Sequence, residues 1–192
     1  MESLLNRAAW ITSRLVLISL VVVCGARAFA ADSDEELEAK VKAAFIPKIA
    51  SFVSWPAEAL GDTNAPIVIG ILGTDPFGPQ FDEGLKGTFA HGHPLVVKRF
   101  SDPSMSGDVH ILFVSAIAAQ RFPEIHKVLA VKPVLTLGDV SGFAESGGMI
   151  NFSKVAGKLR FEINLDATEA AGLQVSSRLL QVSKVIRGKG PQ

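Results

Sequence analysis

From Leu159 to Asp166 the side chains alternate without a break. Leu159, Phe161, Ile163 and Leu165 lie on one side of an extended chain, and Arg160, Glu162, Asn164 and Asp166 on the other. A period of two suits a strand with one buried face, and a helix has no use for it. Upstream, Ile150 and Phe152 alternate with Met149, Asn151 and Ser153. With Lys154 to Gly157 as a four-residue loop, Ser153 faces Lys158, Asn151 faces Arg160 and Met149 faces Glu162. Ile150 and Phe152 then meet Phe161 and Leu159. A slip of one residue mixes apolar with polar, so the pattern supports a hairpin. Beyond it, Leu173, Leu179, Leu180, Val182, Val185 and Ile186 form an apolar stripe that predicts a helix over 173–186. A hairpin and a helix do not close a core alone, so the rest of the chain must supply the layer they pack on.

That layer is legible as strands alternating with helices. Ile67 to Leu72 reads IVIGIL, an apolar run fit for a strand buried on both faces. A turn, GTDPFG, leads to a short helix over Pro79–Leu85. Strands follow over Pro94–Phe100, Asp108–Ser115 and Pro133–Gly138, with a helix, AIAAQRFPEIHKVLA, before the last. Right-handed crossovers place the first four strands in the order 2-1-3-4. The expected fold is one α/β domain. It has a mostly parallel sheet of about six strands, helices on both faces and a C-terminal antiparallel hairpin.

The N-terminus reads differently. Arg7 and Arg14 precede the apolar run LVLISLVVVC, and small residues follow in GARAFA. This is the pattern of a secretory signal peptide, with cleavage frames at Ala26-Arg27-Ala28 and Ala28-Phe29-Ala30. Cleavage between Ala30 and Ala31 is favoured, dividing the chain into a signal peptide (1–30) and one domain (31–192). The run is shorter than the roughly 20 residues of a membrane span, so no stable span is expected after processing. Cys24 lacks the small preceding residue of a lipidated cysteine. Of 19 basic and 19 acidic residues, residues 1–30 hold Arg7, Arg14, Arg27 and Glu2; removing them leaves 16 and 18, a net charge of −2. That balance argues against a nucleic-acid binder. Cys24 is the one cysteine, so the mature chain has neither disulfides nor thiol chemistry of its own.

The mature chain opens on a helix. Ser33 or Asp34 caps it, and Leu37, Val41, Ala44, Phe45, Ile49, Phe52 and Val53 recur at helical spacing. Pro47 predicts a kink near Ala43–Ile46. Trp55-Pro56 closes the segment. Phe45, Phe52 and Trp55 read either as core or as an aromatic patch for a partner.

Catalytic motifs are absent. GTDPFG sits at the carboxyl end of the first strand, but Pro79 and Gln80 stand where a phosphate loop needs Lys and Ser or Thr. His91 and His93 share a loop with no evident third ligand, so no metal is expected. His110 reads as a hydrogen-bonded sheet residue. There is no GxSxG elbow. No catalytic group, cofactor or metal follows from these residues. The best polar constellation is Asn151, Arg160, Glu162 and Asn164 on one hairpin face. It reads as a solvated face with cross-strand pairs worth roughly 0.2–1 kcal/mol each, or as a binding surface.

Several segments carry a family resemblance. KAAF-x6-FVSWP (Lys42 to Pro56), ILGTDPFG, HILFVS, VLTLGDVSGFAESGGMINF and RFEINLDATEAAGLQVSSRLL stand in the order and spacing of the YfiR family. The chain resembles it from about Lys40 to Ile186. The resemblance implies a non-enzymatic periplasmic repressor. Such a protein binds the periplasmic sensor domain of an inner-membrane diguanylate cyclase or related sensor, lowers cyclic di-GMP and so restrains biofilm formation. It also implies a homodimer. The chain departs from the family in its cysteine-free mature part and in Ile46-Pro47-Lys48. The alternative function is a periplasmic small-ligand module with its site near Gly73–Phe77 and Ser115, at the strand carboxyl ends.

Overall fold

The computed structural model of the chain describes residues 34–62, 64–129 and 132–187. The expected cleavage site at Ala30 and Ala31 lies outside them. The chain divides into a unit ending at Val41 and a unit from Lys42 onward. In the first, residues 34–41 are helical and Leu37 is exposed. In the second, helix α1 (residues 42–52) passes through Pro47 without a break. Its Lys42–Phe52 part buries Ile46, Ile49 and Ala50, so the buried face is centred one position away from the stripe expected through Ala44 and Phe45.

In the second unit the apolar runs become strands where the sequence places them. These are β2 (Ile67–Leu72), β4 (His93–Phe100), β5 (Ile111–Val114) and β6 (Leu135–Gly138). Every residue of β2, β5 and β6 is buried. The four strands are parallel, in the order β4-β2-β5-β6, as the crossover rule requires. The hairpin β7 (Ile150–Val155) and β8 (Lys158–Asn164) adds to β6, with β7 parallel to β6 and antiparallel to β8. A two-residue strand, β3 (Phe89–Ala90), closes the other edge. Helix α5 (Phe122–Leu129) covers one face through Phe122, Ile125 and Leu129, packed with Leu72, Leu112 and Val114. α3 (Pro79–Leu85) and α1 cover the opposite face. There Phe81 reaches Phe77, Phe77 meets Phe113 at 4.8 Å, and Phe45 meets Phe161 at 5.2 Å, centroid to centroid. The fold is mixed α/β with a central, mostly parallel sheet.

Two expectations fail. The hairpin loop has two residues, not four: Ser153 pairs with Arg160, Asn151 with Glu162 and Phe152 with Phe161. Ala156 and Gly157 both have positive φ, as the tight turn that matches strand twist requires. The register moves by two, so every residue keeps its expected face while Asn151 changes partner. The C-terminal helix expected over 173–186 is broken into β9 (Gln174–Val175), α7 (Ser177–Gln181) and β10 (Ser183–Ile186). β9 pairs with β1 (Val53–Ser54), and β10 takes the free edge of β8 in parallel. Ladder bonds to β8 override helical periodicity here. Of the apolar stripe only Leu173 and Leu179 are buried.

Ala156 occupies a conformation that costs an L-residue roughly 1–2 kcal/mol. Ala156→Asn should therefore stabilise the protein by about 0.5–1 kcal/mol, read as a higher midpoint in urea unfolding. A lower midpoint would contradict the turn.

Candidate functional site

The conspicuous motif GDVSGFAESGGMINF forms a knot at the carboxyl end of β6. Phe143 fills the space beside two glycines. A Cβ at Gly138 would lie 2.6 Å from its ring, and one at Gly148 would collide with the same ring. Gly148 donates its N–H to the Phe143 carbonyl at 2.9 Å, and Met149 donates to the Thr136 hydroxyl at 3.0 Å. At the head of the loop Asp139 accepts a 2.8 Å hydrogen bond from the Lys42 ammonium of α1, with both groups largely buried. Two distant motif segments, KAAF and GDVSGF, are thus joined by one ion pair.

The hairpin supplies the second half of the knot. Asn164 is buried: its Nδ2 donates to the Ala144 carbonyl at 2.8 Å, and its Oδ1 accepts from Ala167 N at 3.0 Å. That second bond caps α6 (Leu165–Ala170). Asn164 thereby holds the loop and starts the helix. Asn151 is 1% exposed and donates to Glu162 at 3.2 Å, while among the described residues its Oδ1 has no hydrogen-bond partner. Glu162 also accepts from Lys184 of β10 at 3.0 Å. Burial pushes the Glu162 carboxyl up, yet the hydrogen bonds from Asn151 and Lys184 outweigh it and hold the group below its ordinary value.

The expected constellation is therefore only partly assembled. Asn151 and Glu162 meet, Arg160 stands exposed opposite Ser153, and Asn164 is turned to the loop. Lys184 joins them, although helical periodicity hides its strand position. Phe45 and Phe52 are half-buried. Trp55 is buried, its ring centroid 6.2 Å from that of His91.

Three of the four histidines act as staples. His91 Nε2 lies 3.0 Å from the Ala50 carbonyl and 2.8 Å from that of Val53. Carbonyls only accept, so Nε2 carries the proton and ties the β3–β4 turn to the end of α1. His93 Nδ1 reaches the Ala65 carbonyl at 2.8 Å. His110 Nδ1 accepts from Val68 N at 3.0 Å and its Nε2 donates to the Ala59 carbonyl at 3.1 Å. That bonding requires the neutral ring, and burial lowers its pKa from the ordinary 6.5.

The GTDPFG turn is held by side chains from the elements around it. Arg99 donates to Asp75 at 2.7 Å, to Asp82 at 2.6 Å and to the Gly78 carbonyl at 3.2 Å. Ser115 Oγ accepts from Thr74 N at 3.1 Å, and a Cβ at Gly73 would strike that oxygen. Gly73 and Ser115 thus sit against one another at the topological switch point. Beside them, on the far side of α4 (Ala116–Ala119), a cavity of about 240 Å³ is lined by Gln120, Val140, Ser141, Phe143 and Ser146.

This is an α/β domain whose sequence-marked polar groups fasten loops, helices and an added hairpin to a parallel sheet. The chain belongs to the YfiR/HmsC-like family, whose model matches residues 39–184. That family is one of regulators rather than enzymes. No curated protein matches the chain. Among solved structures it is similar to the ABC domain in complex with L-Trp from Streptococcus pneumonia, at 15% identity and a TM-score of 0.48. It is also similar to a ligand-free, open substrate binding protein with adhesive properties from Clostridium difficile, at 14% and 0.48. A conserved domain protein from Vibrio cholerae matches at 14% and 0.43. The matches cover 62%, 64% and 62% of this chain and 55%, 55% and 54% of those chains, in the same order. The chain thus spans about half the length of each. Among the described residues no helix is long and apolar enough to cross a membrane, and no group of three or more His, Cys, Asp or Glu could hold a metal ion.

Two outcomes test the knot and its staples. Gly148→Ala should cost about 1–3 kcal/mol through displacement of Phe143. Phe143→Leu in the same background should recover part of that loss, measured by thermal unfolding. His110 has a lowered folded-state pKa, so below about pH 6.5 the unfolded chain takes a proton that the folded ring refuses. Stability present above that value should fall as pH drops through it, and His110→Asn should flatten the slope. An identical pH profile in the variant would remove His110 as the cause.

Proposed function

We propose that the protein is an exported, non-enzymatic regulator that binds the periplasmic sensor domain of an inner-membrane signalling protein. The expected partner is a diguanylate cyclase, held inactive so that cyclic di-GMP falls. Family membership over residues 39–184 carries this reading. In physical terms the regulator binds one conformation of the sensor domain more tightly than the other and shifts its equilibrium. A tenfold preference corresponds to about 1.4 kcal/mol. The proposed contact surface uses exposed Arg160 beside the Asn151–Glu162–Lys184 cluster, and half-buried Phe45 and Phe52 are a separate candidate patch. Homodimerisation is part of the same proposal.

A small-ligand module is the second reading. It draws on the cavity beside α4, at the strand ends where open α/β sheets take ligands.

Deleting the gene and measuring cyclic di-GMP tests repression directly. A rise is expected, and no change would count against it. Arg160→Glu should leave the thermal midpoint in place yet lose the membrane partner in pull-downs from detergent extracts. Recovery of a small molecule with no membrane protein would favour the second reading.

A further inference from the structure

His110 and His93 take hold of the same short connection, the one that leads from Trp55 to β2. It contains the four-residue helix α2 (Ala57–Leu60), which buries none of its residues. Residues 57–62, 64 and 65 are all half-buried or exposed. With so little surface withdrawn from water, the hydrophobic effect does little to hold this strap down. Among the described residues, two hydrogen bonds tie it to the sheet. His110 Nε2 donates to the Ala59 carbonyl at 3.1 Å, and His93 Nδ1 donates to the Ala65 carbonyl at 2.8 Å. The backbone bonds from Ala59 N to Pro56 and from Ala65 N to Asp62 stay within the connection.

The two ties differ in chemistry. His93 donates to its carbonyl, and an imidazolium donates as readily as an imidazole. His110 uses both ring nitrogens, because Nδ1 accepts from Val68 N at 3.0 Å while Nε2 donates to Ala59. A proton on Nδ1 would set one N–H against another. The ring must then leave Val68, and in leaving it gives up Ala59. Charge works in the same direction. His93 is the titratable neighbour that bears on the His110 ring, and two cations repel. The acids of the surrounding elements lie in solvent. Glu58 and Asp62 are exposed, and Asp108, fully exposed, stands 3.8 Å from Lys132.

We propose that His110 is an acid-operated latch, whose protonation frees α2 and Ala65 from the amino end of the sheet while the sheet itself stays folded. Because Ala59 N is bonded to the Pro56 carbonyl, the release is passed to Trp55, which is buried edge-on to His91. The latch depends on neither reading of function given above.

The test uses the mature chain, in which Trp55 is the one tryptophan. The freed ring takes a proton near its ordinary 6.5, whereas burial keeps the latched ring below that value. As pH falls below 6.5, protection of the Val68 amide from hydrogen exchange should drop about tenfold per pH unit, after correction for the intrinsic rate. Trp55 emission should shift over the same range, and amides of β5 and β6 should keep their protection. His110→Asn places a non-titrating acceptor before Val68 N, so protection there should no longer follow pH. His93→Gln keeps a donor for Ala65, so the fall should persist. Should a variant not fold, the wild-type His110 ring decides by nuclear magnetic resonance: its midpoint should lie below 6.5 and coincide with the change at Val68. A flat wild-type profile, an equal loss across β5 and β6, a fall that survives His110→Asn or vanishes in His93→Gln, or a ring midpoint at or above 6.5 would overturn the proposal.

Discussion

The buried meeting of the Lys42 ammonium with the Asp139 carboxylate, at 2.8 Å, is the contact on which the arrangement turns. A buried ion pair gains little net stability, because desolvating two charges offsets their attraction. Its value is positional, because breaking one side strands the other charge without water. Lys42 therefore fixes where α1 meets the end of β6, and Asp139 fixes where the following loop begins. From there Phe143 packs against Gly138 and Gly148, Asn164 takes the Ala144 carbonyl, and the hairpin is set in register with β6. Each step is local, but each needs the preceding one in place.

This hierarchy explains why polar residues that look like a surface prove to be largely internal. Asn151 and Asn164 share the hairpin face with Arg160 and Glu162, yet the loop over residues 139–149 reaches that face and Asn164 holds it there. Only Arg160 of the four is exposed, whereas Glu162 is half-sheltered between Asn151 and Lys184. The same economy governs His91, His93, His110 and Arg99, which are spent on carbonyls and on neighbouring acids.

The sheet was legible because IVIGIL, ILFV and LTLG have no polar side chain larger than threonine, and strands buried on both faces need such runs. Strand order followed from crossover handedness. The hairpin's faces were legible from alternation, but its loop was not, since Ala-Gly lacks the Asn or Asp that marks a two-residue turn. The C-terminal segment was misread for a different reason. Leu179, Leu180, Val182, Val185 and Ile186 satisfy a helical period, and nothing local reveals that β8 has a free edge for Ser183–Ile186 to fill. Tertiary pairing decided that segment, and with it the placement of Lys184 beside Glu162. Likewise, the role of Asn164 as cap and loop anchor depends on Ala144, twenty positions away.

Lys42 and Asp139 stand 97 positions apart, and Phe52 receives its backbone partner, Ser176, later still. A growing polypeptide that has made α1 meets His91 of the β3–β4 turn first, and must wait far longer for Asp139 and Ser176. Contacts of such long sequence separation slow folding, because chain closure precedes its reward. Loss of the chain from Ser176 onward would thus leave Phe52 without its backbone partner as well as the sheet without its β10 edge.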